Sequence, residues 1–261
     1  MIGAIIGDIV GSTYEFAPTK RYNFELLPAG SDYTDDTIMC VAVADAILHG
    51  LPFAETMHKW GNRYPNPKGS YGGCFAAWLR SEELEPYNSF GNGSAMRVAA
   101  IGWAYGTLNK TQLAAYHSAE VTHNHPEGIK GAVAVATAIY LARHRFIKKK
   151  AIKRHIEEQF SYDLSFDLQE RKRTYGFDET CMGTVPVAIK CYLESSSYED
   201  AVRQAVSMGG DADTLGCITG AIAEADYGTH TIPSQLFTAA LGKLPADMME
   251  IVKEFMARYQ Q

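Results

Sequence analysis

Two short stretches hold most of the chemistry that the chain offers. In SDYTDDTIM, residues 31–39, the carboxylates Asp32, Asp35 and Asp36 and the hydroxyls Thr34 and Thr37 stand directly against the apolar Ile38 and Met39. One reading is structural, since threonine and aspartate cap helix N-termini and acidic groups suit the positive end of a helix dipole. The same pattern recurs far downstream in GGDADTLGCITGAIAEA, residues 209–225, where Asp211 and Asp213 lead through Thr214 into another apolar run. Two acidic clusters at two helix starts favour a metal site over two unrelated caps. Carboxylates and hydroxyls are hard oxygen donors, which select Mg²⁺, Mn²⁺ or Ca²⁺ over zinc or copper, with Mg²⁺ or Mn²⁺ the better match. Four converging aspartates would repel one another. Two divalent cations about 3.5–4 Å apart would neutralise them and hold a water or hydroxide as a nucleophile at neutral pH.

Other segments offer weaker chemistry, each with a plain structural alternative. Gly91, Asn92, Gly93 and Ser94 precede a helix expected over residues 95–105. Such a segment can cradle a diphosphate or a ribose, and it can equally be an ordinary Gly-Asn-Gly turn. Arg97 could grip a phosphate bidentately or form a structural ion pair. His123 and His125 form a His-x-His pair near His117, so a zinc hydrolase is a competing reading, as are histidines satisfied within a tight turn. The run KKKAIKRH, residues 148–155, followed by Glu157 and Glu158, reads as a solvated helix face, with docking of an acidic partner as the alternative.

These residues need a scaffold, and the composition describes it. A chain of 261 residues that is 46% hydrophobic can bury a substantial core, and one compact domain over residues 1–261 is expected. The net charge of −6 argues against broad nucleic-acid binding, which needs a basic surface to displace counterions. Five scattered cysteines without a C-x-x-C spacing read as reduced core thiols of a cytoplasmic protein. The opening MIGAIIGDIVG has no basic leader and is interrupted by Asp8, so neither a signal peptide nor a membrane span is expected. Gly3, Gly7 and Gly11 instead line one face of a buried helix against which a second backbone can lie.

Helical periodicity dominates the remainder, so the expected fold is all-α. Helices are expected to begin near residues 36, 53, 94, 111, 128, 150, 185, 198, 214, 234 and 246, with Pro186 in a first turn. The last helix carries an apolar stripe through Met248, Val252 and Phe255 that reads as core. Residues 18–33, 64–73 and 84–93 read as long loops where substrate contacts belong. Residues 161–179 form a fourth irregular stretch, either a lid or a surface excursion.

Five segments in order, GDIVGSTYEF (7–16), TDDT (34–37), FGNGSAMR (90–97), THNHPEG (122–128) and GGDADT (209–214), span nearly the whole chain. Together they resemble the ADP-ribosylglycohydrolase family, which includes dinitrogenase reductase-activating glycohydrolases and ADP-ribosyl-acceptor hydrolases. The resemblance implies a compact orthogonal multi-helix bundle with two divalent cations, Mg²⁺ or Mn²⁺, that cleaves the bond between ADP-ribose and an acceptor. It implies Thr34, Asp35, Asp36, Asp211, Asp213 and Thr214 as metal ligands. Glu15, which spacing alone reads as a surface glutamate, becomes a carboxylate near the metals that manages protons, together with Asp36 or Asp213. The substrate-binding set implied is Gly91, Asn92, Gly93, Ser94 and Met96 with His123 and His125, the histidines holding diphosphate or ribose without ligating metal. Tyr71, Phe75, Tyr87 and Phe90 sit in the loops where adenine could stack, and each has a structural alternative.

The acceptor stays open, as arginine, serine or another O-glycoside, an O-acyl group or a base. Some members acting on arginine carry an extra aspartate in the loop that reads KGSYGGCFAAW here, residues 68–78, and no acid stands there. The implied partner is an ADP-ribose conjugate, on a protein or a small molecule. A catalytically silent ADP-ribose-binding or structural relative, and an all-α metal-dependent phosphohydrolase, are the alternatives. The presence of all six candidate ligands argues for the hydrolase.

Overall fold

Glycine at every fourth position of the first helix sets the arrangement of the core. A Cβ added at Gly3, Gly7 or Gly11 would strike the backbone carbonyls of Gly220, Gly216 and Ala212. The helix Ile2–Gly11 therefore lies backbone to backbone on Ala212–Tyr227, and each of its residues is buried. The close packing offsets the helix propensity that three glycines give up.

The computed structural model describes residues 1–144 and 146–260, and among them holds fifteen α-helices, one 3-10 turn (Thr229–Thr231) and no β-strand. In chain order these are α1 (Ile2–Gly11), α2 (Asp35–His49), α3 (Phe53–Arg63), α4 (Gly73–Leu79), α5 (Gly93–Met96), α6 (Ala99–Ala104), α7 (Leu108–Glu120), α8 (Pro126–Arg143), α9 (Lys149–Phe160), α10 (Leu168–Thr174), α11 (Cys181–Glu194), α12 (Tyr198–Val206), α13 (Ala212–Tyr227), α14 (Ser234–Leu241) and α15 (Ala246–Tyr259). The architecture is the all-α bundle expected. The α1/α13 pair sits at its centre, with α2 packed against α3 and α15, and α8 packed against α7, α11 and α13. Met248, Val252 and Phe255 of α15 are buried core residues. Among the described residues no helix is long and apolar enough to cross a membrane.

Several local expectations are corrected. The helix expected over residues 95–105 is split into α5 and α6, because ψ rises to −2° at Arg97 and 8° at Val98 and the chain makes a turn there. Pro186 lies inside α11 rather than in its first turn. That helix starts at Cys181 because the Thr180 hydroxyl accepts from Gly183 N at 3.1 Å and caps it. The stretch 161–179 is not wholly irregular, since Asp167 accepts from Glu170 N at 2.7 Å and starts α10. The helix α4 was not anticipated; it buries Phe75, Trp78 and Leu79. Of the five cysteines, Cys74 is exposed and the other four are buried free thiols.

Candidate active site

Asp8, the single acid of the apolar first helix, is wholly buried and organises the start of α2. It accepts from Thr34 N at 3.0 Å, Thr34 Oγ1 at 2.8 Å, Thr37 N at 3.1 Å and Thr37 Oγ1. Burial raises its pKa to about 6, against the threonine hydrogen bonds that lower it. Thr34 is the N-cap of α2, and its hydroxyl accepts from Asp36 N at 3.2 Å. The first turn of α2 is thereby fixed to α1, and α1 is fixed to α13. In the sequence Asp8 is a single carboxylate interrupting an apolar run, and the hydroxyls that satisfy it arrive from residues 34–37.

The two acid-bearing helix starts meet. The Thr214 hydroxyl donates to Asp36 Oδ2 at 3.3 Å. Carboxylate oxygens of Glu15, Asp211 and Asp213 lie within 4.8 Å of one another, so Glu15 stands among the aspartates rather than on the surface. Room for it is left by Gly69, where an added Cβ would sit 2.8 Å from Glu15 Oε2 and where φ is +81°. Asn92 Nδ2 orients Asp211 by donating to its Oδ2 at 2.7 Å, and donates to Thr184 Oγ1 at 3.0 Å as well. Asp32 is exposed and turned to its neighbour Tyr33 N, outside the cluster.

The electrostatics of this cluster fit a cation. Asp36 Oδ1 and Glu15 Oε2 are buried without a hydrogen-bond partner among the described residues. None of Glu15, Asp35, Asp36, Asp211 or Asp213 is in an ion pair among the described residues. Burial raises the pKa of all five, and their mutual repulsion raises it further. Glu15 rises to about 7, with the Asp211 charge adding to burial, and Asp213 to about 8, with Glu15 adding to burial. Asp35, Asp36 and Asp211 are also held well above the ordinary carboxylate range, first by burial and then by neighbouring aspartates. The Lys68 charge offsets only part of this at Glu15, and an excess of oxygen donors is what Mg²⁺ or Mn²⁺ requires.

Beside the acids, residues 90–92 and 179–181 form one wall. Asn92 N donates to Glu179 O at 2.7 Å and Cys181 N to Phe90 O at 2.9 Å. Glu179 closes the stretch 161–179 expected as a lid or a surface excursion, and its pairing with residues 90–92 carries no side-chain signal in the sequence. Ser94 is fully buried beneath this wall and donates to Gly128 O at 2.7 Å. Met96 is also buried, its carbonyl accepting from Cys40 Sγ at 3.2 Å and Cys217 Sγ at 3.4 Å.

The three histidines do not converge. His123 is buried with Nδ1 2.8 Å from Thr122 Oγ1, whereas His125 Nδ1 accepts from Glu127 N at 3.1 Å and caps α8. His117 pairs with Glu120 at the surface. Burial, with the Arg97 charge adding to it, holds the His123 pKa well below the usual histidine value. Arg97 makes neither a phosphate-facing fork nor an ion pair. It is buried and donates to Ser118 O at 2.5 Å and Thr122 Oγ1 at 2.9 Å. Among the loop aromatics, Tyr71 and Phe75 pack into the core. Phe90 is 45% exposed beside the His125 ring, which leaves it available for stacking.

Lys20 braces the turn that precedes Asp211. Its ammonium donates to the carbonyls of Tyr175 at 2.6 Å, Met208, and Gly209 at 3.4 Å. Gly209 has φ +63°, and a Cβ there would lie 3.1 Å from Lys20 Cε. One cation thus joins the segment after Glu15 to the turn that delivers Asp211. In the basic run, Lys149 is likewise engaged internally, donating to Tyr192 O, Ser195 O and Tyr227 Oη.

A family model described as ADP-ribosylglycohydrolase matches residues 1–261. ADP-ribosylhydrolase ARH3 of Homo sapiens is 27% identical over 330 aligned positions, which cover 95% of this chain and 90% of that protein. ADP-ribosylarginine hydrolase Tri1 of Pseudomonas putida is 24% identical over 271 positions, covering 90% and 71%. A solved ADP-ribosylglycohydrolase-related protein complex shares the fold with a TM-score of 0.73 at 22% identity, covering 99% and 96% of the two chains. With one family model spanning every residue, the order of the five motifs has its explanation: the chain belongs to the ADP-ribosylglycohydrolase family of hydrolases.

Proposed function

We propose that this protein hydrolyses the glycosidic bond between ADP-ribose and an acceptor, releasing ADP-ribose, with two divalent cations, Mg²⁺ or Mn²⁺, at the acidic cluster. The observation that carries the reading is the meeting of two aspartate-bearing helix starts through Thr214 and Asp36, with Glu15 drawn in beside Asp211 and Asp213. Thr34, Asp35, Asp36, Asp211, Asp213 and Thr214 would hold the cations. When bound, these supply Lewis acidity to the distal ribose and activate water.

The protein's own groups do the rest. Phe90 offers a stacking face for adenine, and Gly91, Asn92 and Gly93, above Ser94 and Met96, cradle the diphosphate and ribose with His123 and His125. Water replaces the acceptor at the anomeric carbon, so the C–O bond to water forms as the bond to the acceptor breaks. Glu15, whose pKa is about 7 without metal, or Asp36 or Asp213, takes the proton from water and returns one to the departing acceptor. The substrate is an ADP-ribosylated protein or a small ADP-ribose conjugate.

The test is release of ADP-ribose from arginine-linked, serine-linked and O-acetyl conjugates with Mg²⁺, Mn²⁺ or chelator, beside Asp36→Ala and Asp213→Ala. Metal-dependent release, lost in both variants, is expected and names the linkage. AMP as product would replace this reading with phosphoryl chemistry, and binding of ADP-ribose without cleavage of any conjugate would replace it with a binding role.

A further inference from the structure

Two buried groups stand behind His123, and together they decide which of its ring nitrogens carries the proton. Arg97 is 1% exposed and permanently charged, and its Nη2 donates to Ser118 O and to Thr122 Oγ1. Thr122 is fully buried, and among the described residues its hydroxyl has, beyond Arg97, one partner, His123 Nδ1 at 2.8 Å. A hydroxyl has one proton to give. Arg97 has nothing but donors, so Thr122 must accept from it, and the hydroxyl proton has no acceptor except His123 Nδ1. If Nδ1 carried a hydrogen instead, the Thr122 proton would be left buried without a partner, which is the costly arrangement.

The proton of a neutral ring then sits on Nε2. That atom has no partner among the described residues and faces the glycine segment: a Cβ at Gly93 would stand 3.2 Å from it, and one at Gly91 3.6 Å. The ring is held from another side as well. Tyr87 packs 5.8 Å away, centroid to centroid. Its free Nε2–H points into the space that Gly91 and Gly93 leave open.

We propose that Thr122, polarised by Arg97, is a positioning residue that fixes His123 as the Nε2–H tautomer, making it a neutral hydrogen-bond donor to an acceptor oxygen of the ligand between Gly91 and Gly93. The proposal rests on the reading of that segment as the ADP-ribose cradle for the identity of the ligand, whereas the proton placement rests on the protein alone. A neutral donor suits a site that must accept phosphate or ribose oxygens without adding a second fixed charge beside Arg97.

The experiment is a ¹⁵N spectrum of the histidine side chains of the ligand-free protein at pH 7, with Thr122→Val and Thr122→Ser beside the unaltered chain. For His123 the expected pattern is an unprotonated Nδ1 and a protonated Nε2. Thr122→Val should move this pattern toward tautomer exchange and weaken ADP-ribose binding about tenfold by calorimetry. Thr122→Ser, which keeps the hydroxyl, should restore both. A protonated Nδ1 in the unaltered protein, an unchanged spectrum in Thr122→Val, or a Thr122→Ser variant that behaves like Thr122→Val would each overturn the proposal. The spectrum of the unaltered protein decides the point even if Thr122→Val fails to fold. If the tautomer is as expected and ADP-ribose does not bind, the assignment of ligand and function fails and the hydrogen-bond relay stands.

Discussion

The Thr214 hydroxyl reaches Asp36 Oδ2 at 3.3 Å across 178 residues of chain, and it ties the two halves of the acidic cluster together. Replacing it with the isosteric valine removes both this bond and a candidate metal ligand. Thr214→Val is expected to weaken Mn²⁺ binding at least about tenfold, or roughly 1.4 kcal/mol. Calorimetric titration of the chelator-treated protein checks this, and unchanged affinity would remove Thr214 from the ligand set.

Asp8 lies within electrostatic reach of Glu15, Asp35, Asp36 and Asp213, and its hydrogen bonds hold the turn that carries Asp35 and Asp36. In Asp8→Asn an acceptor for four donors becomes an amide that can accept with one oxygen only, leaving threonine groups unsatisfied in the interior. A loss of roughly 2–4 kcal/mol in unfolding free energy is expected. Denaturant titration at fixed pH measures it; a loss below about 1 kcal/mol would mean that the first turn of α2 is held by other contacts.

The pH dependence of the metal-free protein has a definite sign. Glu15 and Asp213 titrate near 7 and 8 in the folded state, well above the ordinary range of an unfolded carboxyl near 4. The folded state therefore holds more protons, and this contribution to stability is full below the unfolded values and lost as pH rises through the folded ones. In chelator, unfolding free energy should fall by roughly 2 kcal/mol or more between pH 5 and pH 8, carried mainly by the buried Asp213, with the half-exposed Glu15 contributing less because solvent screens it. Saturating Mn²⁺ should flatten the profile, because the cation replaces the protons, and binding should release protons measurable in buffers of different ionisation heat. A metal-free profile that is flat or rises would contradict this account.

Lys20 couples the segment after Glu15 to the turn before Asp211. Lys20→Met keeps the stem and removes three hydrogen bonds to backbone carbonyls. It should lower the melting temperature only modestly, by roughly 1–2 kcal/mol in unfolding free energy, while weakening Mn²⁺ binding several-fold. Stability loss with unaltered metal affinity would show that Lys20 braces the fold and not the site.

Elements and residues whose signals are local were legible in the sequence. The glycine stripe announced that a second backbone lies on the first helix, which the structure shows to be α13, and the paired aspartate motifs announced two helix starts that the structure brings together. Glu15 was visible only through the family resemblance, because its company of acids arrives from the other end of the chain. Asp8, Lys20 and Glu179 were silent for a related reason. Each acts on backbone groups or hydroxyls supplied by tertiary contact, and their residue types say nothing of those partners. The buried role of Arg97 was likewise hidden, since a phosphate fork and an internal relay ask for the same side chain.

Because α1 meets α13 through glycine and backbone atoms, no layer of side chains separates them. The distance from Asp8 to Asp213 is consequently set by covalent geometry and hard contact rather than by rotamers. Core residues elsewhere can be exchanged for others of similar volume without resetting that distance. Such a chain can diverge widely in sequence while the spacing of its acids stays put.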